Sequence, residues 1–385
     1  GPVFVEDGVV HLRRYRDVER VLLDGDCEEF NQDASCWSRG ERLNLAMHFF
    51  WLTARRRADG SPGRHDALRT IVEPYFRPRA VENLAPMVRA HALDLIRRIV
   101  AKGTGEFDMA RELAYPLALR TIMSMIGLPL EREDWVRERV EPIGQLSNFH
   151  EAGLEAPDVE GFLWDLIRSR RAHPGDRLVD VLIASWEQGA LSDLELLGYI
   201  WGLAVGGYHD PGTNLANSFC LLDEFGLLDE ARAHLDDELW LRRAGEEILR
   251  MGTPFPSGYR TAVADVTLDC GFTIPAGSPV RLWFSAANRD EAVNGGNPKA
   301  SSPEVFDVTR RPNRHLTFGK GVYRCVGAEL ARLEAHVALQ TVLAALPGVH
   351  MAQNRPFARR AGIDDGVIQA TFRFDQSTAE KQLSA

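Results

Sequence analysis

The sequence predicts a single, mainly α-helical domain with small β-sheets at one side. Three observations carry this reading. Apolar residues recur at helical spacing through most of the first two-thirds of the chain, and period-two alternation is confined to a few short stretches. Neither a Gly/Ser-rich linker nor a fixed-period repeat divides the 385 residues. Apolar side chains at 45% and charged ones at 26% give an ordinary globular balance with enough apolar surface for a substantial core.

The first strand signal is Val3–Val10 running into His11–Arg14, which alternates around Asp7-Gly8 as a hairpin does. Helical spacing follows at Ala80–Val100, where Val81, Leu84, Val88, Ala92, Leu95 and Ile96 fall on one face. Glu112–Ile126, Val159–Arg171, Leu178–Trp186, Ser192–Leu203 and Leu215–Phe225 read the same way, and Ser192-Asp193-Leu194-Glu195 is a capping box. Glu230–Arg250 adds a helix that ends before Gly252-Thr253-Pro254. Strand-like alternation then returns at Tyr259–Val266, Thr267–Ile274 and Val280–Phe284, around Pro275-Ala276-Gly277. Asn288–Pro303 reads as a long loop. Glu329–Leu346 is a strong amphipathic helix stopped by Pro347-Gly348.

The net charge of −10, from 45 basic and 55 acidic residues, makes nucleic acid an unfavourable partner. Gly1–Asp7 shows no signal pattern, and the apolar stretch Tyr199–Tyr208 is too short to span a bilayer. A soluble, cytoplasmic protein is the expectation. The five cysteines, at 27, 36, 220, 270 and 325, form no CxxC or paired spacing, so neither a disulfide framework nor a structural zinc site is expected.

One cysteine stands apart. In Phe318-Gly319-Lys320-Gly321-Val322-Tyr323-Arg324-Cys325-Val326-Gly327, glycines surround a single thiol placed just before a helix. Glycine permits tight backbone paths and close approach to a flat ligand. A helix N-terminus offers N–H donors and a positive dipole end, which favour thiolate. A thiolate so placed is suited to binding iron, and axial cysteine is the ligation that promotes O–O cleavage in haem enzymes.

The segment resembles the cysteine loop of cytochromes P450, Phe-Gly-x-Gly-x-His/Arg-x-Cys-x-Gly, with Tyr323 at the sixth position as the departure; Ala328-Glu329-Leu330-Ala331-Arg332 continues the likeness. The resemblance implies the cytochrome P450 fold, a haem b cofactor contacted by Phe318, Gly319 and Gly327, and Cys325 as the iron ligand. Further segments match in order. Glu247-Ile248-Leu249-Arg250 resembles the family's Glu-x-x-Arg pair and Phe306–Arg310 the segment that brings a second arginine, implying a Glu247–Arg250–Arg310 network that braces the cysteine loop. His65 and Arg69 match the His-x-x-x-Arg helix, and Arg260 and His315 the other propionate-binding positions. Four such donors suit two carboxylates.

The central helix departs from the family. Where Ala-Gly-x-Asp/Glu-Thr-Thr is usual, the chain has Gly206-Gly207-Tyr208-His209-Asp210-Pro211-Gly212-Thr213. His209 then takes the acid position and Asp210 that of the alcohol, and either can relay protons. Pro211 removes a helical N–H and clashes with the carbonyl of Gly207, so the helix is expected to kink or open there. The glycine pair would let haem, oxygen or substrate approach the backbone.

The resemblance places the substrate over the distal haem face, walled by Phe50, Leu203, Gly207, Tyr208, Phe255 and Ile368. It implies reductive activation of dioxygen and oxidation of a small natural-product intermediate, free or tethered to a carrier protein. The chain shows no flavin or iron–sulfur motif, so a ferredoxin-type donor is expected, docking near Arg64, Arg69, Arg77, Arg79, Arg324 and Arg332. Two alternatives stand beside hydroxylation. One is atypical haem-thiolate chemistry (oxidative coupling, dehydrogenation or peroxide-driven oxidation), motivated by the altered helix. The other is a non-catalytic homologue that activates a partner enzyme, against which the intact Cys325 frame argues.

Overall fold

A computed structural model describes residues 1–31, 55–56, 62–145, 158–295, 302–355, 357–359 and 366–384. Helices dominate, and three small sheets accompany them. The first sheet has five strands in the order Val3–Glu6, Val9–Leu12, Pro279–Trp283, Ser257–Ala262, Phe30–Asn31. Its N-terminal hairpin pairs Val3 with Leu12 and Glu6 with Val9, and Val9–Leu12 then runs parallel to Pro279–Trp283. A second sheet joins Glu106–Asp108, His350–Met351 and Phe357–Arg359 to Val367–Arg373, and a two-stranded ribbon pairs Val266–Thr267 with Thr273–Ile274. Among the described residues no helix is long and apolar enough to cross a membrane.

Several elements differ from the periodicity, each for a local reason. Ala80–Val100 is two helices, Pro78–Glu82 and Ala85–Val100, because Pro86 lacks an N–H and sits where a helix begins. The stretch before Tyr115–Ile126 is a π-helical turn, Met109–Ala114, whose first N–H groups are capped by the Asp108 carboxylate at 3.0 and 3.1 Å. Glu230–Arg250 divides into Leu228–Ala233 and Glu238–Gly252, restarted where Asp237 accepts from Trp240 N. The Asn288–Pro303 loop contains a short helix, Glu291–Asn294, capped by Asp290. The Tyr15–Leu23 helix has Tyr15, Val18, Val21 and Leu22 buried on one face, a stripe diluted by polar residues.

The core divides around the site. Helices Ala85–Val100, Tyr115–Ile126, Asp193–Gly206, His209–Glu224 and Ala328–Ala345 form one apolar mass. The five-stranded sheet and Tyr15–Leu23 form a second. The cysteine loop lies between them, since Tyr15–Leu23 touches the turn Gly321–Tyr323 while the helix after Cys325 packs on Ala85–Val100.

Candidate functional site

The cysteine loop is built from backbone constraints. Gly319 and Gly321 have φ of +65° and +71°, a region that L side chains avoid. At Gly321 an added Cβ would also lie 2.6 Å from the carbonyl oxygen of Leu22, so the loop and the Tyr15–Leu23 helix meet only with glycine there. Cys325 N donates to Phe318 O at 2.8 Å, which closes the loop, and Gly327 is the N-cap of Ala328–Ala345. The Cys325 residue is accessible to solvent, yet enough protein surrounds it for desolvation to push its thiol up. The Gly327 N–H opposes that rise, and the negative charge of Asp210 adds to it.

Behind the loop lies a buried ionic knot. Arg250 holds Glu247 in two-pronged fashion, at 2.8 and 2.7 Å, and Arg310 reaches the same carboxylate at 3.1 Å. Asp307 N and Asn313 Nδ2 each donate to it at 3.0 Å. The remaining guanidinium N–H groups go to carbonyls, among them Pro303 O and Val305 O. Asn288 ties this knot toward the cysteine loop, bonding Thr253 and Thr317 hydroxyls and accepting from Leu316 N.

The four cationic candidates lie around the loop. Arg69 Nη1 donates to Arg324 O at 2.8 Å and so grips the residue before the cysteine. His65 is buried, bonded through Nδ1 to Asp66 at 2.7 Å, and meets the edge of Tyr323 at 4.8 Å between ring centroids. Burial lowers its pKa, while the bond to Asp66 opposes the shift. Arg260 lies 5.4 Å from the Tyr323 ring centroid. Among the described residues Arg260 has no carboxylate partner, and desolvation brings it down to about 10. His315 Nε2 is 3.0 Å from Glu246, whereas its buried Nδ1 has no hydrogen-bond partner. A cation without an ion-pair partner fits a missing carboxylate-bearing ligand. With one accessible thiol nearby, the donor set suits an iron porphyrin with two carboxylates.

The central helix opens above the thiol. Asp193–Gly206 ends and His209–Glu224 begins afresh, with Gly207 and Tyr208 between them. Pro211 thereby falls in the first turn of the second helix, where no intrahelical N–H is needed. His209 is buried, and its Nε2 is 2.7 Å from Val140 O. Asp210 is only partly buried, and its charge acts on the Cys325 thiol. The glycines divide their roles. An added Cβ on Gly207 would meet Ile122 at 2.3 Å, so Gly207 serves helix packing, whereas at Gly206 it would meet nothing within 4 Å.

The family model for cytochrome P450 matches residues 240–347, the stretch that carries the ionic knot, the cysteine loop and the helix after it. Mycinamicin IV hydroxylase/epoxidase of Micromonospora griseorubida is 36% identical over 348 residues, covering 88% of this chain and 82% of that protein. The chain belongs to the cytochrome P450 family. A biotin biosynthesis cytochrome P450 of Bacillus subtilis is 31% identical over 296 residues, 75% of this chain and 72% of its own length. Among solved structures, P450BioI in complex with an acyl carrier protein bearing hexadec-9Z-enoic acid superposes with a TM-score of 0.84 at 25% identity, covering 97% of this chain and 95% of that one. A mutant of P450 EryK with erythromycin B gives 0.83 at 26% identity, covering 97% and 93%. This P450 is therefore a haem b monooxygenase of the oxidoreductase class.

The expected substrate walls of this P450 are dispersed. Leu203 and Tyr208 are buried, Tyr208 against the Tyr115 ring at 5.4 Å. Phe255 and Ile368 are partly exposed, and Phe50 lies outside the described residues. Sequence reading passed over four groups. Tyr115 and Thr213 bond hydroxyl to hydroxyl at 2.9 Å, and an added Cβ on Gly366 would lie 2.3 Å from Thr213 Oγ1, so the C-terminal turn seats on that pair. Asp66 and Glu246, the bonded partners of His65 and His315, were also missed; each is adjacent to a recognised motif residue, the one available signal.

Proposed function

We propose that Cys325 of this P450 would hold the haem iron and that the enzyme hydroxylates a small natural-product intermediate, presented free or on a carrier protein. The observation that carries the assignment is the accessible Cys325 thiol, framed by Gly319, Gly321 and Gly327 and within electrostatic reach of the Asp210 carboxylate. Relatives support the substrate class, since one oxidises mycinamicin IV and another was solved with an acyl chain on its carrier.

When bound, haem supplies the reductive activation of dioxygen, with the thiolate favouring O–O cleavage. The chain's residues do the rest. The Phe318 carbonyl holds Cys325 through its backbone N–H, and the Gly327 N–H favours the thiolate against the desolvation that pushes the thiol up. Arg260, His65 and His315 would hold the two haem carboxylates, and Phe318, Gly319 and Gly327 would contact the haem, while Arg69 braces the loop at Arg324 O. Asp210 holds and passes protons over the distal face; His209, spent on Val140 O, positions the reopened helix. Leu203, Phe255 and Ile368 offer apolar surface to the substrate. Electrons come from a ferredoxin-type donor.

The test is the visible spectrum of the ferric protein titrated with candidate precursors, free and carrier-tethered. A thiolate-type spectrum moving from low to high spin identifies the accepted form. A protein that takes up no haem, or a Cys325→Ala variant with an unchanged spectrum, would overturn the assignment. A second reading, oxidative coupling or peroxide-driven oxidation, draws on the carboxylate of Asp210 at the usual alcohol position. Product formed with peroxide but not with reduced ferredoxin would select it.

A further inference from the structure

Of the four side chains expected at the haem carboxylates, three already have an anion beside them. Arg69 Nε is 3.9 Å from Glu73, His65 Nδ1 is 2.7 Å from Asp66, and His315 Nε2 is 3.0 Å from Glu246. Among the described residues Arg260 has none, and it donates only from Nη1, to Tyr259 O at 2.7 Å. The residue paired with it across the sheet is the apolar Val280. The Arg260 side chain is only partly buried, and its unpartnered nitrogens are not sealed from solvent, so an anion can reach them.

What lies against this open cation is an aromatic ring. The Arg260 guanidinium carbon is 5.4 Å from the centroid of Tyr323. Tyr323 stands where the family loop usually carries His or Arg, and a second cation there would repel Arg260. A tyrosine ring presents a negative face instead and attracts a guanidinium. We propose that Tyr323 is a positioning residue for Arg260, holding that arginine by a cation–π contact in place for a haem carboxylate. The inference rests on the haem-thiolate reading above and adds a residue which that reading does not use.

The ring is itself fixed from three directions. The turn Gly321–Tyr323 is seated against the Leu22 carbonyl, where only glycine at 321 fits. The Tyr323 hydroxyl accepts from Arg55 N at 2.8 Å and lies 3.5 Å from Cys27 Sγ. His65 meets the ring edge-on at 4.8 Å between centroids. A platform held in this way has little freedom left to lose when a ligand arrives, so it keeps the guanidinium in one place beforehand. Burial brings Arg260 down to about 10, which leaves it fully cationic at neutral pH. Where relatives of the usual pattern have two cations, this P450 has one cation and a ring that orients it.

The experiment follows haem transfer from the holoenzyme to excess apomyoglobin for wild type, Tyr323→Phe, Tyr323→Leu, Arg260→Ala and the Tyr323→Leu/Arg260→Ala double variant. Each is loaded either with haem or with haem whose two carboxylates are methyl esters. Arg260→Ala is expected to lose haem at least about tenfold faster, the loss of one charge-assisted hydrogen bond. Tyr323→Leu is expected to lose it about fivefold faster, the loss of one partly desolvated cation–π contact. Tyr323→Phe keeps the ring and should stay close to the wild-type rate. The double variant should match Arg260→Ala, and the diester should leave every protein at one rate. Equal acceleration of haem and diester by Tyr323→Leu would show that the change merely loosens the cysteine loop, and would overturn the proposal. Full additivity with Arg260→Ala, or a Tyr323→Phe as fast as Tyr323→Leu, would overturn it as well. Failure of the parent reading looks different: the wild-type ferric spectrum would then lack its thiolate signature.

Discussion

Arg310 Nε lies 3.1 Å from Oε1 of Glu247, the same oxygen that Arg250 Nη2 holds at 2.7 Å. Glu247 and Arg250 are completely buried, so one carboxylate serves two guanidiniums away from bulk solvent. Removing one member of such a set strands the others, at a cost of about 3–5 kcal/mol. Glu247→Ala is expected to lower the thermal midpoint and to abolish haem incorporation, although Cys325 is untouched. Haem-to-protein absorbance ratios and melting curves check this. A variant that folds normally and binds a full complement of haem would show that the knot does not support the cysteine loop.

Asp210 and His209 are neighbours with different surroundings. His209 is buried and bonded to Val140 O, whereas Asp210 is partly exposed and close enough to Cys325 to act on its thiol. Asp210→Asn is expected to reduce product per electron by about ten- to a hundredfold, since a positioned proton donor contributes at least that much. His209→Gln is expected to reduce stability and leave coupling nearly intact. Product and NADPH consumption measured together decide the point. Uncoupling by His209→Gln alone would move the proton relay to the imidazole.

Glu334 carries a stability signature that is separable from catalysis. It sits on Ala328–Ala345 with its residue 1% exposed, neither oxygen has a partner at ordinary hydrogen-bond distance among the described residues, and burial drives its pKa well above the ordinary value. Thr121 opposes that rise only in part. A carboxyl whose folded pKa is raised contributes stability that is fully present below the unfolded value and lost as pH climbs toward the folded one. The slope is about 1.4 kcal/mol per pH unit. Glu334→Gln removes that dependence. The variant is expected to match wild type near pH 5 and to melt at progressively higher temperature relative to it toward pH 8. A constant difference across that range would show that Glu334 does not stay protonated.

The cysteine loop was legible because its chemistry is local. Glycines at 319, 321 and 327 around one thiol, followed by an amphipathic helix, constrain one short stretch of backbone. Val159–Arg171 and Ser192–Leu203 emerged within a few residues of their observed bounds, the first from its apolar period and the second from its period and its Ser192 capping box. The helix His65–Phe76 emerged only through the family likeness at His65 and Arg69, and the strand Val367–Arg373 did not emerge. The first carries Pro74 and polar residues on three sides, and the second is stabilised by strands distant in sequence. The roles of Gly207 and His209 were hidden for the same reason. Gly207 meets Ile122 and His209 meets the Val140 carbonyl, contacts set by tertiary packing that leave no mark on spacing.

Electron entry gives the last prediction. Of the six arginines expected near the cysteine side, four are engaged: Arg64 with Glu195, Arg69 with Arg324 O, Arg324 with Glu329, and Arg332 with Glu246. Arg77 and Arg79 are exposed and, among the described residues, have no ion-pair partner. They flank Pro78 at the head of the short helix that packs on Ala328–Ala345, the helix leading away from Cys325. Exposed, unengaged cations steer an acidic partner and do little for stability. The Arg77→Glu/Arg79→Glu double variant is therefore expected to raise the KM for reduced ferredoxin about tenfold at low ionic strength, an effect that fades near roughly 0.5 M salt as screening shortens. Substrate-induced spin change and melting temperature should not move. Unchanged KM with lowered kcat would place the donor elsewhere, because loss of steering acts on encounter and leaves the bound complex as it was.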